Sequence, residues 1–365
     1  NKTVCFQGNF TYNLNWENID NKTELCIGEN VTFNSAGLNW PNSKNFNISN
    51  YGVFNFGQSI ELKNQTLINN YGLMNIKVSF NGGTLNNYSG AELNINSWSS
   101  FNKGTLNNNV DASVEIANQY TEFGQQFFLN SDGNIIVNGN FVLNSTNIIL
   151  NGNNKFEKKF TNKSSNNIIS GQTYIGNDFV SNQNNSNITF DLFTNIDGKL
   201  NLFSGEATFN GGVSVLGNTQ INGGSSLVVE GDSNFNKLTI YNSGEIAAYT
   251  DGCKYINIEN TAGSGGQVNA YNNATLTLNQ VYDQPNNEWI LSGNVNIANE
   301  CSTPETIWEG TVSSDSNDPN NWSNGLPSLT VNAIIPETPN NPTLSSNLQA
   351  LNLNIHQNAA FNSNG

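Results

Sequence analysis

The chain has 365 residues, about a fifth of them Asn, with 33 Gly and only 8 Pro; Lys and Arg total 13 against 28 Asp and Glu, for a formal net charge of −15, and no Arg occurs. That balance leaves no basic groove able to displace counterions from phosphate, which excludes a nucleic-acid partner, and it disfavours an anionic membrane face. No apolar run approaches the roughly 18 residues that a membrane-spanning helix needs.

The first residues, Asn1-Lys2-Thr3, carry neither a Met start nor an apolar leader, so the chain is expected to be a mature product whose signal peptide has been removed. Residues 1–45 are irregular and hold Cys5, Cys26, Trp16 and Trp40. From there an apolar residue returns about every twenty positions, at Phe56, Ile76, Ile95, Ile116 and Val137. The surroundings repeat too: Asn50-Tyr51-Gly52-Val53-Phe54-Asn55-Phe56 matches Asn70-Tyr71-Gly72-Leu73-Met74-Asn75-Ile76, with looser copies from Asn87 and Asn109. Each copy is a turn followed by a strand whose apolar residues alternate with polar ones, so one face points inward.

One such unit cannot bury its apolar face alone, whereas stacked units share a core. The spacing therefore predicts an all-β fold, a parallel β-helix or β-solenoid over 46–300, of about a dozen coils and about 60 Å in length. Residues 1–45 become its N-terminal cap, which keeps the first coil from offering an open strand edge. Asn and Gly suit the left-handed corners of such a coil, and Asn side chains in successive coils can exchange amide hydrogen bonds. The stretch from about 155 to 190, with Lys155, Lys158, Lys159, Lys163 and the run Asn182 to Asn187, breaks the period and is expected to form a loop or a wide coil. Regularity resumes at Leu200-Asn201-Leu202 and continues to Val295-Asn296-Ile297, at spacings that allow more than one strand per coil.

The four cysteines, Cys5, Cys26, Cys253 and Cys301, lack any C-x-x-C spacing for zinc or redox work and fit an exported protein with disulfides. Sequential pairing is expected. Cys5–Cys26 would staple the cap and Cys253–Cys301 the far end, worth about 3 and about 4 kcal/mol by loop-closure entropy. Crossed pairings would tie the two ends of a rod together.

From 301 to 365 the pattern changes to Ile307-Trp308-Glu309-Gly310, Asn320-Asn321-Trp322-Ser323-Asn324-Gly325-Leu326-Pro327, Ala333-Ile334-Ile335-Pro336, Asn341-Pro342-Thr343-Leu344 and Leu351-Asn352-Leu353-Asn354-Ile355. This resembles a Trp–Gly, Asn–Trp, Pro pattern that recurs in large repetitive surface adhesins of gliding Bacteroidetes, secreted by the type 9 system. Over the first 300 residues the similarity is one of style only. The resemblance implies the start of a second β-rich repeat module, an extracellular or cell-surface location, and a stiff filament used for attachment or gliding motility. It also implies, as partners, the type 9 outer-membrane translocon, accessory surface proteins and surface glycans. The chain would be the N-terminal part of a longer polypeptide.

Catalytic constellations are sparse. His356 is the only histidine, just after an expected strand, and is read as a solvent-facing or corner residue. Asp132, Asp178, Asp191, Asp197, Glu206, Glu230 and Asp232 are scattered carboxylates, and without Arg there is no clamp for an acidic sugar. No catalytic or cofactor-binding residue is assigned. Asp315, Asn317 and Asp318 carry oxygens that suit calcium, but an Asx-turn accounts for them as well. Trp98, Tyr120, Tyr174 and Tyr271 are candidates to stack on sugars or to pack at coil corners. The sequence thus favours a non-enzymatic surface adhesin; the alternative is a glycan-binding module, or a β-helix enzyme acting on polysaccharide.

Overall fold

The computed structural model describes residues 3–8, 10–12, 23–35, 47–63, 65–97, 99–285, 287–298, 305–328, 331–344, 347–350 and 352–363. Parallel strands stack into one β-solenoid of about 16 turns. Two compact units are distinguished. The solenoid comprises Asn1–Thr250 and Lys254–Asn299, and the second unit comprises Asp251–Cys253 and Glu300–Gly365.

The cross-section is clearest where it is most regular. One turn carries the strands Ile148–Leu150, Asn154–Phe156 and Phe160–Asn162, and the next carries Asn167–Ile169, Thr173–Ile175 and Phe179–Ser181. Leu150 lies beside Ile169, Asn154 beside Thr173 and Phe160 beside Phe179, which defines three faces. The stretch 155–190, expected as a loop or wide coil, is therefore a regular part of the stack. The repeat shortens to 19 residues here, and the basic and Asn-rich runs occupy outward positions and corners, so neither disturbs the inward apolar rows.

Elsewhere single strands bend round several faces. Leu73–Asn87 pairs with 53–56 and 59–63 of Val53–Lys63 and then with Leu67–Asn70, and its side chains alternate between buried and half-buried along most of its length. Phe56, Ile76, Ile95, Ile116 and Val137, the column that announced the repeat, are in-register neighbours on one face and fully buried. Each such side chain contributes about 1.5–3 kcal/mol by leaving water. Along the axis a column of phenylalanines continues from Phe80 through Phe101, Phe123, Phe141, Phe160 and Phe179 to Phe190 and Phe209, with ring centroids 4.9–5.8 Å apart. These are the tilted and offset separations that aromatic pairs favour.

The stretch 1–45, expected as a cap, already belongs to the ladder where it is described. Thr3–Phe6 pairs with Glu24–Ile27, which pairs with Asn47–Asn50, and Thr32–Ser35 pairs with the strand from Val53. Leu25, Ile27 and Phe33 point inward at strand period, the same rule that builds the later turns. Trp16 and Trp40 lie outside the described residues.

One corner explains the recurring Asn-Tyr-Gly. The Asn turns inward: Asn50, Asn70, Asn87 and Asn108 are fully buried, and each Nδ2 donates to the next side chain, Asn70 Oδ1 at 2.7 Å, Asn87 Oδ1 at 2.7 Å, Asn108 Oδ1 at 2.9 Å and Ser131 Oγ at 3.0 Å. The same Nδ2 atoms donate to the backbone carbonyls of Leu73, Glu92, Ser113 and Asn134, closing each turn onto its successor. The Tyr turns outward. Tyr51, Tyr71 and Tyr88 stack with centroids 4.7 and 4.3 Å apart and planes within 7°. The Gly between them permits close approach, since a Cβ at Gly72 would overlap the carbonyl oxygen of Gly52. Two outer ladders, Asn34–Asn55–Asn75–Asn94 and Asn69–Asn86–Asn107–Asn130, donate in the opposite axial direction at 2.6–2.9 Å.

In the second unit the strands Glu305–Ile307, Asn332–Ile335 and Leu353–Ile355 pair in parallel. Its core is Trp308, Trp322, Ala333 and Ile335, with the indoles edge to face at 5.3 Å. Trp308 Nε1 donates to Asn340 O and Trp322 Nε1 to Ser316 O, so both polar handles are satisfied. Asn352 Nδ2 reaches Asn332 Oδ1 across 20 residues, the amide ladder of the first unit in a second parallel repeat.

Candidate binding groove on the solenoid flank

The carboxylates that sequence leaves scattered remain scattered, and all but Glu206 fasten one turn to the next. Asp132 accepts from Asn151 Nδ2, Asp178 from Lys199 N, Asp191 from Ser170 Oγ and Asn210 Nδ2, and Asp232 from Tyr255 N. Glu206 accepts from Thr208 Oγ1 within its own strand. Glu230 takes four partners: the N–H groups of Tyr249 and Thr250, Thr250 Oγ1, and the ammonium of buried Lys254 at 3.8 Å.

Cys5 and Cys26 are free thiols on in-register strands, side by side at the separation of neighbouring parallel strands. Burial, and then the hydrogen bond with Cys5, push the Cys26 thiol up to about 11. They are neighbours in register but remain two thiols, where a disulfide staple was expected. Cys253 is disulfide-bonded; Cys301 lies outside the described residues.

Asp315 Oδ1 accepts from Asn317 N at 3.0 Å, and Asp318 caps the short 3₁₀ turn Pro319–Asn321 by accepting from Asn320 N at 3.0 Å. These are Asx-turn geometries, with oxygens directed at local backbone, and among the described residues no three His, Cys, Asp or Glu side chains gather as a metal site. His356 is exposed at the corner after Leu353–Ile355.

The aromatics divide. Trp98 lies outside the described residues. Tyr271 stacks on Tyr249 at 4.8 Å with planes 7° apart, and, as in the Tyr51–Tyr71–Tyr88 column, each ring covers its neighbour's face. Such rows are corner packing, in which a ring gives a face to its neighbour and stays partly exposed. Tyr120, Tyr174 and Tyr271 each donate a phenolic hydrogen bond to a carboxylate: Glu122 at 2.8 Å, Asp197 at 2.5 Å and Glu245 at 2.7 Å. Burial and the Glu122 bond push Tyr120 up to about 12, and the Asp197 and Glu245 bonds are the first causes of the rise at Tyr174 and Tyr271. A folded-state value above the ordinary 10 means that the protonated phenol is favoured by folding. This stabilisation is complete below pH 10 and is lost as pH rises through about 12. Melting temperature is expected to hold level from pH 8 to about 10 and then fall, with high-pH phenolate absorbance that shrinks by one tyrosine's share in Tyr120→Phe.

Tyr174 also lines an open cleft on the solenoid. It occupies about 480 Å³ and is walled by two outward columns, Asn134, Asn153 and Gln172 beside Ile136, Lys155, Tyr174 and Asn195. Asn153 Nδ2 donates to Asn134 Oδ1 at 3.1 Å. Lys155 Nζ sits 5.7 Å from the Tyr174 ring centroid and 2.5 Å from Glu157 Oε1, so its charge is balanced on the spot. The cleft therefore offers amides that both donate and accept, an aromatic and an aliphatic wall, and no uncompensated charge. Sequence reasoning named Lys155 and Tyr174 but not the site, because the 19-residue spacing that aligns them falls in the stretch assigned to a loop. No protein-family model, curated protein or solved structure matches this chain, so its function is argued from this geometry.

Proposed function

We propose that this chain is a stiff segment of an exported cell-surface adhesin, a rod that holds binding surfaces away from the cell. The observation that carries the reading is the parallel ladder of the described strands, locked from within by buried amides from Asn50 to Ser131. Opening any turn exposes two strand edges and strands several buried polar groups, so the stack resists shear and proteolysis along its length. The Cys253 disulfide supports an oxidising compartment, and the use of the carboxylates as staples supports a role without catalysis. Export by a type 9 translocon, accessory surface partners and a part in gliding are the finer forms of this proposal, and they rest on the C-terminal Trp and Pro pattern.

Antibody raised against the purified solenoid tests it. Intact source cells are expected to label, to lose the label on brief protease shaving, and to lack it when the translocon is deleted. Label seen only after permeabilisation overturns the reading; surface label that survives translocon deletion overturns the export route.

A further inference from the structure

We infer that the cleft between Asn134 and Asn195 binds a linear, neutral polysaccharide laid along the solenoid axis. Three features select that ligand. The walls repeat with the turns: Asn134, Asn153 and Gln172 form one column, and Ile136, Lys155, Tyr174 and Asn195 the other. Successive turns are about 4.8 Å apart, close to the length of one pyranose ring, so a linear polymer meets a side-chain amide of the Asn134, Asn153 and Gln172 column at successive rings. Side-chain amides both donate and accept, as sugar hydroxyls do, and pair with them without net charge.

Charge excludes the acidic relatives of such a chain. Lys155 is paired with Glu157, Asp197 holds the Tyr174 hydroxyl, and the protein as a whole carries −15. A polyanion meets no free cation in the cleft and a repelling field around it. Ile136 and the Tyr174 ring supply the apolar contact that a sugar's C–H edges require, and the volume lies in the range of ligand clefts. The site differs from the stacked-tyrosine rows at the corners, since here Lys155 and amides, not further aromatic rings, flank the ring.

This deepens the attachment reading and rests on it, yet the two fail separately, because binding is measured on purified protein whereas surface display is measured on cells. The probes are neutral β-linked glucan and mannan oligosaccharides of two to eight rings and an oligogalacturonate series, titrated calorimetrically into the intact chain. Affinity for a neutral series is expected to rise with length up to about four rings, one per turn spanned, and to level off beyond. Tyr174→Ala and the pair Asn153→Ala with Gln172→Ala, all outward-facing, are expected to weaken binding about tenfold or more while the thermal melt stays in place. Tyr174→Phe, which keeps the ring, is the second variant should Tyr174→Ala disturb the fold, and it is expected to retain most of the affinity. Absence of binding by either neutral series, tighter binding of the acidic series, or affinity unchanged in a folded Asn153→Ala, Gln172→Ala variant each overturns the proposal.

Discussion

Asn70→Asp is expected to open the turns around it at neutral pH, at a cost of about 3–5 kcal/mol. The exchange keeps shape almost unchanged, so the effect is electrical. Asn70 is fully buried, and its Nδ2 donates to Asn87 Oδ1 at 2.7 Å and to Glu92 O at 3.0 Å, while its Oδ1 accepts from Asn50 Nδ2 at 2.7 Å. An aspartate puts an oxygen where the amino group stood and turns it on two acceptors, in a place water does not reach. Burial also raises the carboxyl's pKa above its unfolded value, because the charged form is the one disfavoured. The protonated form recovers one donor. The variant is therefore most stable below the unfolded carboxylate range and loses stability as pH rises through the folded value. Asn75→Asp is the comparison. Asn75 lies on an outer ladder, donating to Asn55 Oδ1 and accepting from Asn94, and is half-buried, so the lost donor is replaced by water at a cost of about 1 kcal/mol. Hydrogen exchange resolves the difference. Protection in Asn70→Asp should collapse in the strands carrying Asn50, Asn87 and Asn108 and persist beyond Ile148; equal protection loss in the two variants would sink the ladder argument.

That contrast also marks how far the amino-acid pattern reaches. The stack, its parallel order and its amide exchange were legible, because inward residues at one per turn must repeat wherever coils share a core: Phe56, Ile76, Ile95, Ile116 and Val137 are literally adjacent. The number of strands per turn was less legible. Leu73–Asn87 reads as separate short elements although it is one strand bent round three faces, and bends at a bulge leave little trace in alternation. The turns within 155–190 were missed because their inward rows include polar residues, Asn162, Asn167 and Thr173, which a hydrophobic periodicity cannot register. The groove was hidden by the same error. Asn134, Asn153 and Gln172 look unrelated until the 19-residue register is known, whereupon they become one wall. Conversely, of the tyrosines that looked available for sugar, Tyr271 gives a ring face to Tyr249 whereas Tyr174 lines the cleft, a difference that depends on ring orientation and not on spacing.

The second large effect is steric. Gly171→Ala is expected to cost about 3 kcal/mol or more, although the backbone there is not in the left-handed region and alanine would suit its conformation. The obstacle is the turn above. A Cβ on Gly171 would overlap the carbonyl oxygen of Gly152, one on Gly152 would overlap that of Gly133, and one on Gly133 would meet the carbonyl of Ala112. Backbone cannot rotate aside as a side chain would, because Gly171 N and Ser170 N both donate to Leu150 O at 3.0 and 2.9 Å. Relief requires the turns to part, which breaks those bonds and opens the apolar rows on either side. Gly90→Ala is the control: its φ of +77° makes alanine strained, but nothing lies within 4 Å of the added carbon, so about 1–2 kcal/mol is expected. Urea titrations followed by circular dichroism should order the midpoints as wild type, then Gly90→Ala, then Gly171→Ala, and the reverse order of the variants would refute close approach as the reason for the glycine column. The same substitution bears on the groove. Gly171 is the chain neighbour of Gln172, and Gly152 of Asn153, so parting these turns moves the two amides out of the repeat that a sugar chain would read. Gly171→Ala should therefore weaken oligosaccharide binding even without urea, where circular dichroism shows the variant still folded, while Gly90→Ala, on a distant turn, binds as the wild type does; equal affinity in the two variants would mean that binding does not depend on the spacing of these turns.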